Sequence, residues 1–173
     1  EVYGELPRDK TIKFTEESPL RGKSPYSASK AGADHLVQAF IKTYELPAVI
    51  IRASNNYGPW QYPEKLIPLT IAKAISNEKI PVYGDGRNVR TWLYVEDFTG
   101  AVLSILEKGK TGEIYNIGSN EEKENIDVIK KILALLGKGE DLMEFVSDRP
   151  GHDLRYSLDT SKVERETGWK ART

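Results

Sequence analysis

The sequence predicts an α/β fold class, part of a doubly wound parallel sheet, from the order of its apolar segments. A continuous, β-branched run over residues 46–53 directly follows a helix-forming stretch over residues 25–44. A strand that is apolar on both faces is typical of a buried parallel sheet. A helix that leads at once into such a strand repeats the rhythm of doubly wound sheets. Ligands bind these sheets beyond the carboxyl ends of strands, so the polar residues after residue 53 are candidates for a site.

The composition indicates one globular domain. The 173 residues are 39% hydrophobic and 29% charged, which is enough apolar material to bury a core. A net charge of −1 argues against a dedicated nucleic-acid binder, because such proteins need a basic surface. The chain has no cysteine and no apolar run of membrane-spanning length. We therefore expect a cytoplasmic protein without disulfides, metal site, nucleic-acid partner or membrane partner.

The first helix begins with several start signals. Ser24 is a natural N-cap, and Pro25 suits the first turn because it has no N–H to leave unpaired. Tyr26 and Lys30 are four residues apart, so they lie one above the other on one helix face. An ammonium group beside a phenol favours the phenolate, which is the chemistry of an acid–base catalyst. A chance pair on a solvated helix face is the alternative.

The sequence predicts alternating helices and strands in the rest of the first half of the chain. Residues 5–24 are polar and rich in turn formers, so we expect a loop there. The elements predicted after the strand at residues 46–53 are a polar segment at 54–68, a helix at 66–76, a strand at 80–83, a glycine turn at 84–88 and a strand at 90–95. The glycine turn lacks the G-x-G-x-x-G spacing of a dinucleotide site. Asn55 and Asn56 could serve turn chemistry alone.

The second half continues the alternation. Elements predicted there are a helix at 96–106, a strand at 114–118, an amphipathic helix at 126–136, a strand near 144–147 and a last helix that ends at Gly168. Asn125 is the expected N-cap of the amphipathic helix, and Gly137 is its stop. Ser161 and Glu164 have the spacing of a capping box at the start of the last helix. The loop at 148–156 is dense in side chains that bind anions.

Several segments together resemble one enzyme family. Residues 24–30, Ser-Pro-Tyr-Ser-Ala-Ser-Lys, resemble the active-site helix of the extended short-chain dehydrogenase/reductase family. The segments that look like its dTDP-glucose 4,6-dehydratase branch are residues 1–4, 54–59, 63–68, 149–153 and 155–156. The related UDP-sugar epimerases share Tyr-x-x-x-Lys but generally lack the acid before Val-Tyr-Gly and the Arg-Pro-Gly-His-Asp loop. The resemblance covers essentially the whole chain.

This resemblance implies a reaction and three catalytic residues. In the family, the sugar is oxidised at C4 by hydride transfer to NAD, water leaves across C5 and C6, and the hydride returns to C6. Tyr26 is implied as the acid–base group at the sugar 4-hydroxyl, and Glu1 as the base at C5. Lys30 is implied to hold the nicotinamide ribose while tuning Tyr26. The family's partner Asp and a Thr lie immediately upstream of the first residue, so we expect a piece of a longer protein.

The resemblance also implies a site for a dTDP-sugar substrate. Its implied residues are Asn55, Lys65, Leu66, Pro81, Tyr83, Arg90, Asn125, Arg149 and His152. The implied contacts to the cofactor NAD are Tyr26, Lys30 and Asn55. Several of these residues have structural alternatives when taken singly. Arg90 could be a strand-edge charge, Asn125 only a helix cap, and His152 a loop histidine.

The implied domain organisation has two interleaved parts. Residues 1–60 would be the C-terminal part of a Rossmann-like NAD-binding domain, and residues 61–173 mainly a smaller α/β nucleotide-sugar-binding domain. No glycine-rich NAD-binding loop is present in the sequence. The family also implies a homodimer formed through helices at residues 31–45 and 66–79.

Two other functions remain open on the sequence. One is a different nucleotide-sugar enzyme of the same family, such as an epimerase or decarboxylase. The other is a non-catalytic nucleotide-sugar-binding module. Glu1, Tyr26 and Lys30 argue against the module, because binding alone does not need them.

Overall fold

A computed structural model describes residues 1–173 and has the alternating order that the sequence predicts. Its helices are α1 (Pro25–Tyr44), α2 (Leu66–Ile75), α3 (Val95–Lys108), α4 (Asn125–Leu135) and α5 (Ser161–Thr167). Its strands are β1 (Ile50–Ala53), β2 (Asn55–Tyr57), β3 (Ile80–Tyr83), β4 (Val89–Tyr94), β5 (Ile114–Ile117), β6 (Glu122–Glu124), β7 (Met143–Val146) and β8 (Arg155–Tyr156). No helix combines the length and the apolar character that crossing a membrane requires.

The strands form three small sheets in which parallel pairs predominate. β1 pairs with β5, and β3 pairs with β7, both in parallel. β4 is the centre of the third sheet, where β2 and β8 are its parallel neighbours and β6 runs antiparallel. Helices connect the parallel strands, as a crossover requires. The predicted α/β class is therefore confirmed.

The start of α1 follows the predicted chemistry. The Ser24 hydroxyl accepts a hydrogen bond from the Ser27 N–H at 3.1 Å, and Pro25 occupies the first helical position. The Ser27 side chain accepts in turn from the Ser24 N–H at 2.9 Å. This reciprocal pair is a capping box in which serine replaces the usual Glu or Gln. It fixes the first turn, from which Tyr26 projects.

The predicted cap of α4 is wrong. Glu124 is the N-cap, and Asn125 is the first helical residue. The Asn125 N–H donates to the Asn88 carbonyl and the Ile126 N–H to the Gly86 carbonyl, both at 3.0 Å. A turn distant in sequence therefore satisfies the first N–H groups of the helix, and no side-chain cap is needed.

The capping box predicted for α5 at Ser161 and Glu164 does not form. Thr160 is the N-cap, and Ser161 is the first helical residue. The Thr160 hydroxyl donates to Glu164 Oε1 at 2.8 Å, while the Ser161 N–H donates to Asp159 Oδ1 at 2.8 Å. The Thr160–Glu164 pair is not a capping box, because it joins two side chains and neither bonds a backbone N–H of the first turn. Gly168 ends the helix with a φ of 77°, as predicted.

Three buried clusters support the cavity described below. One lies between the β1–β5 sheet and helices α3 and α5, and one joins α2, β3 and α4. The third packs residues 2–14 against β8, with Tyr3 and Phe14 stacked at 5.0 Å between ring centroids. Residues 5–24 form a loop, as predicted, whose one strand-like contact is a bridge from Phe14 to Leu158.

Candidate active site

A cavity of about 670 Å³ lies between α2, β3, β4, the start of α4 and the loop at residues 148–153. It contains every residue that the family resemblance implied for the substrate, together with Glu1. The lining residues from that prediction are Glu1, Asn55, Lys65, Leu66, Pro81, Tyr83, Arg90, Asn125, Arg149 and His152. Residues as far apart in sequence as Glu1 and His152 thus converge on one space of the size that ligand sites usually have.

Arg90 supplies a buried cation at the cavity wall. Arg90 is only 6% exposed. Its one hydrogen bond within the chain is donated by Nη1 to the Val89 carbonyl at 2.8 Å. Burial lowers the pKa of Arg90, and the nearby carboxylates of Asp153 and Glu1 partly oppose that effect. A buried guanidinium with most of its donors unused is costly on its own. It is therefore suited to a bound anion such as a diphosphate.

The loop after β7 holds a second group of cationic and polar side chains. The Arg149 guanidinium lies 4.8 Å from the centroid of the Tyr83 ring. His152 Nδ1 lies 2.7 Å from Asp148 Oδ1, and its Nε2 lies 3.5 Å from Arg149 Nη2. Burial acts to raise the pKa of Asp148, but the hydrogen bonds from His152 and from the Arg149 N–H outweigh it and lower the pKa. Asp148 thus orients the imidazole, and Tyr83 orients the guanidinium.

The backbone of this loop is tied to neighbouring segments. The Asn88 side chain donates to the Asp153 carbonyl at 3.2 Å, and the Val89 N–H donates to the Leu154 carbonyl at 2.8 Å. The Leu154 N–H donates to Glu5 Oε2 at 3.1 Å, and Lys23 forms a salt bridge with the same carboxylate. These contacts from three directions hold the loop over the cavity.

Asn125 retains an unused amide oxygen at the cavity wall. Because backbone carbonyls serve the start of α4, its side chain is free of the capping role. Its Oδ1 is buried and has no hydrogen-bond partner within the chain. Buried amides are almost always paired, so this atom is available to a ligand. Leu66, Pro81 and the ring of Tyr83 supply the apolar surface of the same cavity.

Asn55 lies in a short strand rather than in a turn. β2 continues from β1 and pairs with β4, so that Asn55 stands opposite Trp92. The alternative of turn chemistry alone is therefore wrong for this residue. Lys65 is the N-cap of α2 and forms a 3.2 Å salt bridge with Glu64 on an exposed surface.

The turn at residues 1–4 brings Glu1 to the cavity. The Gly4 N–H donates to the Glu1 carbonyl at 3.1 Å, and the Arg21 N–H donates to the Val2 carbonyl at 3.0 Å. Gly4 has a φ of 86°, and a Cβ there would lie 2.6 Å from the Arg21 carbonyl oxygen. Only glycine fits this position, which explains the Val-Tyr-Gly pattern.

Tyr26 and Lys30 do not line the cavity. Both are exposed on α1, and the Lys30 ammonium lies 5.9 Å from the centroid of the Tyr26 ring. Ser24, which caps the same helix, does line the cavity. The phenol therefore stands at the first turn of α1, beyond the Ser24 end of the cavity.

Sequence reasoning missed several lining residues. Trp92 is two residues from Arg90 on β4, and strand alternation could have identified it. Its indole N–H is buried without a partner, as are the Thr70 hydroxyl and Asp153 Oδ1. Burial raises the pKa of Asp153, while the charge of Arg90 partly opposes the shift. Neither Thr70 nor Gln61, which also lines the cavity, carried a signal in the sequence.

Tyr26 and Lys30 are accessible to the nicotinamide end of NAD, which the resemblance assigns to them. Tyr26 is 60% exposed beside Lys30, so a ribose and a nicotinamide have access to both. A cofactor pyrophosphate usually needs a glycine-rich loop at the N-terminus of a helix. The helices of this chain begin with Pro25, Leu66, Val95, Asn125 and Ser161, and none of them follows such a loop.

Comparisons with known proteins agree with the sequence motifs. The family model described as GDP-mannose 4,6 dehydratase matches residues 1–173. The dTDP-glucose 4,6-dehydratase of Xanthomonas campestris pv. campestris (strain B100) is 53% identical over 179 residues, covering 98% of this chain and 50% of that protein. This chain thus spans about half the length of the curated relatives that it matches.

Solved structures match equally well. The crystal structure of dTDP-glucose 4,6-dehydratase from Bacillus anthracis str. Ames in complex with NAD has a TM-score of 0.94 and 50% identity, over 99% of this chain and 54% of that one. DesIV, a dTDP-glucose 4,6-dehydratase from Streptomyces venezuelae with NAD bound, has a TM-score of 0.96 and 44% identity, over 100% and 53% of the respective chains. The chain therefore belongs to the GDP-mannose 4,6 dehydratase family, within the extended short-chain dehydrogenases/reductases.

Proposed function

We propose that this chain forms about half of an NAD-dependent dTDP-glucose 4,6-dehydratase. The reaction converts dTDP-glucose to dTDP-4-keto-6-deoxyglucose. The observation that carries the proposal is the convergence of Arg90, Arg149, His152 and Asn125 on one cavity with Glu1 at its wall. The roughly 50% identity to dTDP-glucose 4,6-dehydratases supports the same substrate.

The substrate is held through its nucleoside diphosphate. We assign Arg90 and Arg149 to the phosphates, because guanidinium groups donate two parallel hydrogen bonds to phosphate oxygens. His152, Lys65, Asn55 and Asn125 supply further donors around the same space. The apolar surface for base and ribose comes from Leu66, Pro81 and Tyr83.

The proposed reaction removes two protons from the sugar, one at the 4-hydroxyl and one at C5. The Tyr26 phenolate, stabilised by the Lys30 ammonium, takes the proton of the 4-hydroxyl and becomes a neutral phenol, and Lys30 also binds the nicotinamide ribose. Asn55 contacts the same end of the cofactor. Once C4 is a ketone, the C5 proton is acidic and Glu1 removes it. The C6 hydroxyl takes a proton from an acid, a role that the family resemblance gives to the partner Asp, and leaves as water. NAD, when bound, supplies the hydride acceptor and later the hydride donor.

The domain boundary and the assembly belong to the same proposal. Residues 1–60 join the NAD-binding domain, and residues 61–173 form most of the substrate-binding domain. α1 carries an exposed apolar row at Leu36, Phe40 and Tyr44, in which each member lies four positions after the previous one. α2 carries Ile71 and Ile75 in the same spacing. These rows support a homodimer through α1 and α2, in the cytoplasm.

The experiment is product analysis with the complete protein. We expect dTDP-glucose and NAD to yield dTDP-4-keto-6-deoxyglucose, identified by proton NMR through its C6 methyl group. Tyr26→Phe is the matched control, because it removes only the hydroxyl that starts the reaction. A sugar that is epimerised at C4 with its C6 hydroxyl retained would favour the epimerase alternative. Binding of dTDP without any turnover would favour a binding module.

A further inference from the structure

A buried polar cluster beside the cavity is centred on Arg52 of β1. Arg52 is 6% exposed, and its side chain does not line the cavity. Arg52 Nε donates to Asp34 Oδ2 at 2.6 Å, and its Nη1 donates to the Tyr3 hydroxyl at 2.7 Å. The guanidinium carbon lies 4.8 Å from the centroid of the Tyr3 ring. Arg52 therefore joins two segments that are distant in sequence.

The first segment is the helix of the proposed catalytic tyrosine. Asp34 lies four residues after Lys30 and eight after Tyr26 on α1. Steps of four residues place side chains along one stripe of a helix. The bond from Arg52 to Asp34 thus restrains the rotation of α1 about its axis. That rotation decides where Tyr26 and Lys30 point.

The second segment is the turn that carries Glu1. Tyr3 follows Glu1 by two residues, a distance of about 7 Å at full extension. The Tyr3 hydroxyl accepts from Arg52 and donates to Asn116 Oδ1 at 2.7 Å. Its ring is 2% exposed and stacks on Phe14. The position of Tyr3 therefore limits the position of the Glu1 carboxylate.

We propose that Arg52 is a positioning residue that holds the Glu1 turn and the Tyr26–Lys30 stripe at a fixed separation. This inference rests on the proposed function, which places one proton transfer at the sugar 4-hydroxyl and another at the adjacent C5. Both groups must reach one bound sugar without a change in its pose. Small misplacements of such groups cost up to about 100-fold in rate. Because the Arg52 guanidinium binds both segments, it keeps Glu1 and Tyr26 within reach of the same bound sugar.

Tyr3→Phe is the sharpest variant. It removes the hydroxyl that Arg52 contacts but keeps the ring that stacks on Phe14. Tyr115→Phe is the matched control, because Tyr115 is equally buried and its hydroxyl bonds Lys110 and Glu166 in another cluster. In the complete protein we expect Tyr3→Phe to lower kcat about tenfold or more, with the dTDP dissociation constant changed less than about twofold. Tyr115→Phe should leave kcat unchanged.

Replacement of Arg52 itself gives a second test. Arg52→Lys retains a cation that can still reach Asp34, whereas Arg52→Met retains only the aliphatic stem. We expect Lys to restore part of the kcat that Met loses, at equal dTDP affinity. An Arg52→Lys variant as slow as Arg52→Met, or a parallel loss of kcat and dTDP affinity in Tyr3→Phe, would overturn the positioning role.

Amide hydrogen exchange tests the linkage without any turnover. Tyr3→Phe should raise exchange in residues 26–36, and Asp34→Asn should raise it in residues 1–6, because coupling through one residue is reciprocal. Effects confined to the mutated segment in both variants would contradict the proposal. If the complete wild-type protein had no dehydratase turnover, the proposed function would fail, while the exchange data would still decide whether Arg52 couples the two segments.

Discussion

Arg155 and Glu122 form a buried, two-bonded ion pair between β8 and β6. Arg155 Nε lies 2.8 Å from Glu122 Oε2, and its Nη2 lies 2.6 Å from Oε1, with the two side chains 1% and 8% exposed. The remaining donors of the guanidinium reach backbone carbonyls of Pro7, Asp9 and Ile12. One arginine thus attaches the loop at residues 5–24 to the sheet centred on β4.

We expect Glu122→Gln to destabilise the chain, because it leaves the Arg155 charge buried without its counter-ion. Loss of one partner from a buried pair costs about 3–5 kcal/mol. Glu121→Gln is the control, since its 3.5 Å pair with Lys123 is exposed and should contribute less than about 1 kcal/mol. Urea unfolding monitored by circular dichroism measures both. Equal effects of the two substitutions would contradict the prediction.

The same pair predicts an acid-sensitive stability. Burial acts to raise the pKa of Glu122, but the hydrogen bonds and charge of Arg155 outweigh it and hold the pKa below its ordinary value of 4.5. A lowered pKa contributes stability that is complete above pH 4.5 and is lost as pH falls through the folded-state pKa. The difference in unfolding free energy between wild type and Glu122→Gln should therefore shrink below pH 4.5. A constant difference from pH 7 to pH 3 would exclude this origin.

Arg90→Ala should mainly weaken the binding of dTDP. The substitution removes charge-assisted hydrogen bonds to a diphosphate that does not change during the reaction, at a cost of about 1.5–3 kcal/mol. Arg87→Ala is the control, because Arg87 is exposed in the neighbouring turn and does not line the cavity. Isothermal titration calorimetry with dTDP gives both dissociation constants. An unchanged constant for Arg90→Ala would remove Arg90 from the phosphate site.

Glu1→Gln in the complete protein should stop elimination and leave oxidation of the sugar 4-hydroxyl measurable. Glutamine keeps the size of the side chain but cannot accept the C5 proton. The measurement is the absorbance of the reduced cofactor, which reports oxidation at C4, together with the NMR yield of the C6 methyl product, which reports elimination. Glu17→Gln, at an exposed position away from the cavity, should behave as wild type. Full product yield from Glu1→Gln would assign the base to another group.

The dimer proposal predicts that a charge in the exposed row of α1 separates the protomers. We expect Phe40→Glu to yield monomers in analytical ultracentrifugation of the complete protein, because it buries a carboxylate in an apolar interface. Leu103→Glu on α3 is the control, since Leu103 is also exposed but lies on a helix outside the proposed interface. Dissociation by Leu103→Glu and not by Phe40→Glu would place the interface elsewhere.

The chain of 173 residues alone should bind dTDP measurably and NAD too weakly to retain it. The groups proposed for the diphosphate all lie within the chain, whereas Tyr26, Lys30 and Asn55 offer only the nicotinamide end of a cofactor site. A few such contacts do not offset an association entropy of several kcal/mol. Calorimetric titration with each ligand checks this. Tight NAD binding without dTDP binding would overturn the assignments of Arg90, Arg149 and His152.

The sequence by itself determined the class of fold and part of the cavity lining, but it missed Gln61, Thr70 and Trp92. Apolar patterning together with helix start and stop signals predicted the five helices and the longer strands. The strand predicted over residues 46–53 is shorter in the structure, where only Ile50–Ala53 pairs with β5. Local chemistry predicted the start of α1, since Ser24 and Pro25 act within one turn. The family motifs named Glu1 and all nine residues proposed to bind the substrate, and these ten residues line one cavity. Helix caps depend on neighbouring residues, and family motifs depend on residue type, so both can be recognised without the fold.

The tertiary structure decided the features that depend on distant partners. Asn125 is the first residue of α4 rather than its N-cap, and its own N–H and that of Ile126 donate to the carbonyls of Asn88 and Gly86. The buried Oδ1 of Asn125 is thereby left without a partner within the chain. β6 and β8 exist because β4 offers them edges, and strands of two or three residues are too short to show periodicity. In the sequence, Arg52 is a single charge in an apolar strand. Only the folded chain brings Asp34 and Tyr3 within hydrogen-bond distance of it. Hydrogen bonds across the fold, rather than local preference, set these positions.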